Sequence, residues 1–205
     1  MSKIKLTKGE LKKQRDSMKQ FNRYLPTLQL KKQQLQMKIL EAQKVLREKQ
    51  AILNQQMNHI EKWVGLFADP DTDLKQWVQP QEVKTGKTNI AGAYVPVFEE
   101  VVFGPTEYDF YSKPFWVDKA IIEVRKMISA QAEVEVVKRQ ITVLQKELRT
   151  TTQRVNLFEK IKIPECKESI RKIGIYLGDQ QANAVGVSKV AKKKVDQKAA
   201  VLALS

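Results

Sequence analysis

A Gly-Lys-Thr sequence at residues 86–88 is the segment of this 205-residue chain that comes nearest to a known chemical motif. Phosphate-binding loops end in such a sequence, because backbone N–H groups and the lysine together hold nucleotide phosphates. The complete motif requires a glycine five residues before Gly86, and Gln81 occupies that position. The flanking residues do not predict the strand-then-helix arrangement of these loops either. We therefore do not expect nucleotide binding by this chain.

The other reactive side chains do not form a catalytic or metal-binding set. His59 is the only histidine, and it has no partner histidine or cysteine with which to hold a metal ion. Cys166 has no neighbouring base that would make it a nucleophile. Glu99 and Glu100 are adjacent in a predicted strand, so their carboxylates should point to opposite faces. We expect no catalytic residue, no metal site and no cofactor.

The dominant feature is a long repeat of apolar residues at alternating steps of three and four. It runs from Leu11 to Phe67 without a slip, and it returns between Met127 and Phe158. A sustained 3.5-residue repeat buries one stripe, here called the seam, of a long helix against another helix. The predicted seam residues are Leu11, Met18, Phe21, Leu25, Leu28, Leu35, Ile39, Leu46, Leu53, Ile60, Val134, Val137, Ile141, Leu144, Leu148, Val155 and Phe158.

Two such helices with non-helical residues between them predict an all-α dominated fold, a long antiparallel two-helix coiled coil with a small central β-hairpin. We expect a first coiled-coil helix in residues 1–67 and an acidic connector with the hairpin and an aromatic cluster in 68–116. A second coiled-coil helix should cover 117–178 and bend near Pro164. Residues 179–205 should form a basic tail, either helical or disordered.

The start of the first helix is marked by a capping box. Thr7 and Glu10 have the Thr-x-x-Glu spacing in which a hydroxyl and a carboxylate satisfy backbone donors of the first turn. Pro26 conflicts with a continuous helix, since it removes one backbone hydrogen bond and costs about 3 kcal/mol in a helix interior. We expect a kink or a short break near residues 22–26. The alternative is a helix that begins only at Pro26.

The connector changes from helix-forming to strand-forming residues. Lys84–Thr88 predicts a turn, and valines with interspersed glycine and proline then predict a hairpin within 80–105. An aromatic cluster follows, and it should either plug the end of the coiled coil or form a docking surface for a partner. Its members are Tyr108, Phe110, Tyr111, Phe115 and Trp116.

The charge is high and uneven. The formal net charge is +14, from 37 Lys and Arg against 23 Asp and Glu. Residues 1–67 carry 15 basic against 5 acidic residues, residues 68–116 carry 4 against 8, and residues 117–205 carry 18 against 10. Basic helices of this kind suit either nucleic acid or an acidic protein cavity. The single cysteine and the lack of an apolar run of about 20 residues predict a cytoplasmic protein.

Three segments resemble the D subunit of the V-type ATPases and ATP synthases. The first is LTKGELKKQRDSMKQFNRYLPTLQLKKQQL at residues 6–35, and the third is FEKIKIPECKESIRKI at 158–173. The second, NIAGAYVPVF at 89–98, resembles the central signature of that family. The departures are Pro26 and the run of three lysines at 192–194. The signature residues are Asn89, Ile90, Ala91, Gly92, Val95, Pro96 and Val97.

The resemblance implies a non-catalytic central rotor shaft. In that family the coiled coil projects into a catalytic head of A and B subunits. The lower part binds the F subunit and sits on the subunit that joins the stalk to the membrane ring. Rotation couples ATP synthesis or hydrolysis to proton or sodium transport. The resemblance therefore implies a protein that is peripheral to the membrane, held there by the complex.

Two other classes share parts of this pattern. A prefoldin-like chaperone subunit also joins two coiled-coil helices through β-hairpins, although its helices are shorter than those predicted here. A nucleic-acid-binding coiled coil would explain the basic helices, but it would need stacking aromatics or a basic recognition helix. The aromatic residues cluster instead in the acidic connector.

Overall fold

The computed structural model describes residues 5–68, 74–106 and 114–202. These ranges are mostly helical and contain one antiparallel β-hairpin, which confirms the predicted fold class. In chain order the elements are α1 (Lys8–Glu61), a 3₁₀ helix (Val64–Ala68), α2 (Lys75–Val78), β1 (Pro80–Ile90), β2 (Ala93–Phe103), α3 (Trp116–Leu157), a π-helical turn (Phe158–Lys162) and α4 (Ile163–Leu202).

The chain divides into two compact units. Residues 30–152 form one of them, here called the hairpin-bearing unit, and residues 1–29 with 153–205 form the terminal unit. Within the hairpin-bearing unit, α1 and α3 run antiparallel, because Lys31 pairs with Glu147 whereas Lys49 pairs with Glu133.

At the N-terminus of α1, the hydroxyl half of the predicted capping box is present. The Glu10 N–H donates to Thr7 Oγ1 at 3.2 Å, and the Leu11 N–H donates to the Thr7 carbonyl at 3.0 Å. The Glu10 carboxylate accepts a hydrogen bond of 2.8 Å from the Gln14 amide. Thr7 thus satisfies donors of the first helical turn, which would otherwise lack partners.

Pro26 does not interrupt α1, so a short break near residues 22–26 and the alternative start at Pro26 are both wrong, whereas the kink stays a prediction. The proline ring is exposed, whereas Leu25 and Leu28 on either side of it are half-buried on the seam. Only the hydrogen bond to the Asn22 carbonyl is lost to the proline. Apolar packing before and after the proline therefore outweighs that loss.

Pro164, where the sequence predicts a bend, is directly preceded by the π-helical turn, and α4 then continues through the proline. The bend itself stays a prediction. The tail, predicted to be helical or disordered, belongs to α4 as far as Leu202.

The turn of the hairpin lies at Ala91 and Gly92, so the predicted turn at Lys84–Thr88 is wrong. Ala91 has φ 50° and Gly92 has φ 81°, the pair of positive angles that a two-residue type I′ connection requires. The Asn89 side-chain oxygen accepts a hydrogen bond of 2.9 Å from the Gly92 N–H. Gly86 instead lies inside β1, where a Cβ atom would be 2.5 Å from the Glu99 carboxylate.

Three clusters of buried apolar side chains form the core of the hairpin-bearing unit. One joins α1, α3 and the hairpin, a second joins α1 and α3 alone, and a third joins α2 to the start of α3. Their buried members are, in that order, Leu35, Ile39, Ala93, Val95 and Leu144; Ala42, Val137 and Ile141; and Trp77, Val117 and Ile121.

Two members of the predicted aromatic cluster, Phe115 and Trp116, are among the described residues, whereas Tyr108, Phe110 and Tyr111 lie outside them. Trp116 is half-buried, with its ring 6.0 Å from that of Phe67. Phe115, by contrast, is 98% exposed. Of the described members, one therefore packs inside the unit and the other faces solvent.

Two glycine-to-alanine substitutions, one in the hairpin turn and one in a helix, should have opposite effects on the free energy of unfolding. Gly92→Ala should lower the free energy of unfolding by about 1 kcal/mol, because an L-residue with φ near 81° is strained. Gly174→Ala, on exposed helix α4, should raise it by about 0.5–1 kcal/mol. Urea unfolding of both variants measures these changes, and equal signs would contradict the assigned turn.

Candidate functional site

The seam of the hairpin-bearing unit contains several buried side chains. Leu35 and Leu144 are fully shielded from solvent, and Ile39, Ile60, Val134, Val137 and Ile141 are also buried. Leu46, Leu53 and Leu148 are half-buried at the edges of the seam. Because two helices cover each other on one side only, residues at the edge of the stripe keep part of their surface in water.

The tip of the hairpin covers one stretch of this seam. Val95 on β2 is 0% exposed and packs with Leu35 and Leu144. Ile90 and Ala91 add partly buried surface to the same cluster. The signature segment therefore has a structural role, since its tight turn brings Val95 against both helices.

The remaining signature residues face outward or form the turn. Asn89 and Gly92 are exposed and share the hydrogen bond within the turn, whereas Pro96 is half-buried. Val97 keeps 38% of its surface exposed. The regular alternation of buried and exposed residues thus ends beyond Val95.

Two ion pairs connect the helices beside the seam. Lys31 Nζ lies 2.7 Å from Glu147 Oε1, and Lys49 Nζ lies 2.9 Å from Glu133 Oε1. All four side chains are between 28% and 37% exposed. Ion pairs with this much solvent contact contribute about 0–1 kcal/mol each, so they favour the antiparallel register more than they stabilise the fold.

The base of the hairpin is held by Arg125 on α3. Its guanidinium donates to the Trp77 carbonyl at 2.6 and 3.0 Å and to the Gly104 carbonyl at 2.8 Å. The same group lies 5.0 Å from the centre of the Phe103 ring. Sequence patterns did not indicate this residue, because an arginine beside an apolar stripe is usually solvated. One side chain thereby joins α2, the end of β2 and α3.

The seam residues of the terminal unit are less deeply buried. Val155 is buried, and the Phe21 and Phe158 rings lie 5.1 Å apart. Leu11, Met18, Leu25 and Leu28 are half-buried. Beyond Phe158, Cys166 and Ile173 continue the buried surface of this unit.

The distal part of α4 is exposed throughout residues 178–197. Val185, Val187 and Val190 are between 55% and 70% exposed, and three consecutive lysines follow at 192–194. A helix of this length with no apolar face covered is marginal in water, because helices depend mainly on packing for their stability. This segment is therefore a candidate surface for docking into a partner.

The residues that could do chemistry lie in different local settings. His59 is exposed on α1, Cys166 is buried in the terminal unit, and Gly86–Thr88 form part of an extended strand. Glu100 is paired with Lys84 at 2.6 Å. Within the described ranges, no cluster of three or more His, Cys, Asp or Glu side chains could hold a metal ion.

The shifted pKa values have local causes. The hydrogen bond from Arg171 lowers the pKa of Glu168 to about 2, and the same bond raises the pKa of Arg171. The hydrogen bond to Glu100 raises the pKa of Lys84, whereas burial raises the pKa of the Cys166 thiol. The Glu168 pair favours the fold above about pH 4.3, and this contribution is lost as the pH falls towards 2.

Comparison with known proteins identifies the family. A family model for the D subunit of ATP synthase matches residues 10–193. The chain belongs to this family. The D subunit of the V-type ATP synthase of Borreliella burgdorferi is 44% identical over 198 residues, which cover 97% of this chain and 98% of the relative.

More distant members of the same D-subunit family match over the same extent. The D subunit of the V-type ATP synthase of Chlamydia trachomatis serovar L2 is 34% identical over 198 residues, covering 96% of this chain and 98% of the relative. That of Chlamydia felis is 33% identical over 202 residues, covering 96% of each chain. These matches confirm the resemblance carried by the signature segments.

The family match decides among the three protein classes that the sequence left open. It groups the chain with the D subunits of V-type ATP synthases, and not with prefoldin-like chaperones or nucleic-acid-binding coiled coils. Among the helices of the described ranges, none combines the length and apolar character that crossing a bilayer requires.

Truncation of a central seam residue should test the importance of this packing. Leu144→Ala should lower the free energy of unfolding by about 2–5 kcal/mol, since it removes a fully buried side chain and leaves a cavity. Leu40→Ala, at a position that is 66% exposed on α1, should change it by less than about 0.5 kcal/mol. Urea unfolding of the two variants gives both values, and similar losses would contradict the assigned seam.

The Arg125 hydrogen bonds predict that two arginine substitutions on α3 differ in their effect on stability. Arg125→Met retains the aliphatic part of the side chain but removes the charged hydrogen bonds to two carbonyl groups, so it should cost about 1.5–3 kcal/mol. Arg139→Met removes an exposed arginine of the same helix, paired only with Glu135, and should cost less than about 0.5 kcal/mol. Thermal unfolding compares the two, and an equal effect would show that the Arg125 bonds do not hold the hairpin.

Proposed function

We propose that this chain is the central rotor subunit of a V-type ATP synthase or ATPase. It transmits rotation between a catalytic head of A and B subunits and the membrane sector. Rotation couples ATP synthesis or hydrolysis to transport of protons or sodium ions. The observation that carries this proposal is the family match over residues 10–193, together with relatives named as the D subunit of V-type ATP synthases over almost their full length.

The packing of the helices supports a mechanical role. A subunit that transmits torque must resist twisting, and continuous side-chain packing between long helices provides that resistance, because close-packed interiors are hardly compressible. Here α1 alone has 54 residues, and its half-buried and buried positions follow the seam from Leu11 to Ile60. The covering hairpin and the interhelical ion pairs add contacts that oppose sliding of one helix along the other.

The chain acts in this proposal without catalysing a reaction itself. His59 is exposed on α1, Cys166 is buried in the terminal unit, and Glu100 is paired with Lys84. In this proposal, ATP chemistry belongs to the head. An asymmetric shaft favours a different nucleotide state in each catalytic subunit, provided that its contacts with those subunits differ.

The contacts with the head are assigned to basic outer surfaces of residues 8–50 and 138–198. The exposed valines and lysines of distal α4 suit an apolar socket with an acidic rim. The F subunit and the subunit that joins the stalk to the membrane ring are the proposed partners of the lower part. Exposed Phe115, at the start of α3, is a candidate contact for the latter. The protein would thus act in the cytoplasm, held at the membrane by the complex.

Cross-linking tests this proposal in the assembled complex. Val187→Cys places a thiol at a position that is 70% exposed, whereas the native Cys166 is buried. A bifunctional thiol–amine reagent with a cleavable disulfide should link this residue to the head and reduce ATP hydrolysis and ion pumping at least about tenfold, since a tethered shaft cannot turn. Reduction should restore both activities.

The matched control is the same variant capped with N-ethylmaleimide, which should hydrolyse ATP at the uncapped rate. A cross-linked complex that retains full ATP hydrolysis would contradict the rotor role. Failure of the Val187→Cys thiol to form any link to A or B subunits would contradict the proposed position of distal α4.

A further inference from the structure

The π-helical turn Phe158–Lys162 contains one residue more than a regular helical turn. The Ile163 N–H donates to the Phe158 carbonyl, five residues earlier, instead of four. Such turns are rare and usually consist of a single residue inserted into an α-helix. Pro164 follows directly and cannot donate a backbone hydrogen bond, which favours an irregular turn before it.

The shielded positions of the terminal unit follow a different phase on each side of this turn. Val155 and Phe158, three residues apart, continue the seam predicted from the sequence. After the turn, shielded residues again recur at steps of three and four, with Lys162 and Ser169 shielded beside them. This second series consists of Ile163, Cys166, Ile170, Ile173 and Leu177.

The two series do not fit one regular repeat. The step from Phe158 to Ile163 is five residues, whereas the repeat requires four at that point. A regular continuation of the seam would include Lys162 and Ser169, which are shielded, but also Glu165 and Lys172, which are exposed. Glu165 is paired with Lys162 and Lys172 with Glu168. Burying such charges is unfavourable even when they are paired, so the surplus residue must be absorbed between Phe158 and Ile163.

We propose that the π-helical turn is a phase-setting joint that absorbs this surplus residue and thereby fixes the rotation of α4 about its own axis. One residue corresponds to about 100° of rotation in an α-helix. The joint therefore decides that Cys166 and Ile173 pack inside the terminal unit while Glu165 and Lys172 stay in water. It also fixes the direction in which the lysines at 192–194 project from α4.

Two single-residue deletions test this proposal. Each removes one exposed lysine, so the two variants have the same composition and charge and differ only in where the residue is lost. Deleting Lys160, which is exposed within the turn, removes the surplus residue and leaves both series in phase. Deleting Lys167, which is exposed on α4, shifts Ile170, Ile173 and Leu177 out of phase with Cys166. In a regular helix, the two deletions would be equally disruptive.

We expect the Lys160 deletion in the full-length chain to change Tm by no more than about 4 °C, and the Lys167 deletion to lower it by about 10 °C or more. Cys166 offers a second measurement, because it is the only cysteine and only 6% exposed. Its rate of reaction with a thiol reagent should stay within about twofold after the first deletion and rise about tenfold or more after the second.

The proposal is overturned if the Lys160 deletion unfolds the protein, or if it lowers Tm as much as the Lys167 deletion does. It is also overturned if both deletions leave Tm and Cys166 labelling unchanged, because the phase of α4 would then not matter. An alanine inserted after Lys160 provides the converse test, and it should expose Cys166 by adding a second surplus residue.

Discussion

The fold depends on the phase of one apolar stripe. Each long helix offers a single stripe, and a pair of helices can cover each other only where the two stripes stay aligned. A slip of one residue turns a helix by about 100° and, in one direction, would replace Leu144 by Gln145. No thick core compensates for such an error, since each unit buries few of its described side chains completely. The interhelical ion pairs favour this alignment, and we assign the same role to the π-helical turn.

The hairpin shows how a two-helix arrangement gains a third layer. Val95 is completely shielded although it belongs to a two-stranded sheet, which is too small to be stable alone. It is shielded because the tip packs on the seam while Arg125 holds the base. The helices therefore stabilise the hairpin, and the hairpin in turn deepens the burial of Leu35 and Leu144.

The prediction of the seam rests on a 3.5-residue period that persists over many turns, so single polar residues do not obscure it. The position of the hairpin turn was not predictable from the sequence. Gly86 is a strong local turn signal, whereas the turn in the structure places Ala91 at a positive φ that alanine rarely adopts. The break considered at Pro26 is absent, because the helix propensity of proline was weighed without the packing of Leu25 and Leu28. The π-helical turn left a trace in the five-residue step after Phe158, whereas the Arg125 contacts left none.

The way in which Arg125 binds has a consequence for sequence variation. Its guanidinium contacts the main-chain oxygens of Trp77 and Gly104, which every amino acid possesses. Exchange of either residue leaves a main-chain acceptor in place, whereas exchange of the arginine removes the donors of all these bonds together. In divergent sequences with this architecture, the bonds should therefore require the guanidinium at this position, whereas Trp77 should be retained for its own buried packing.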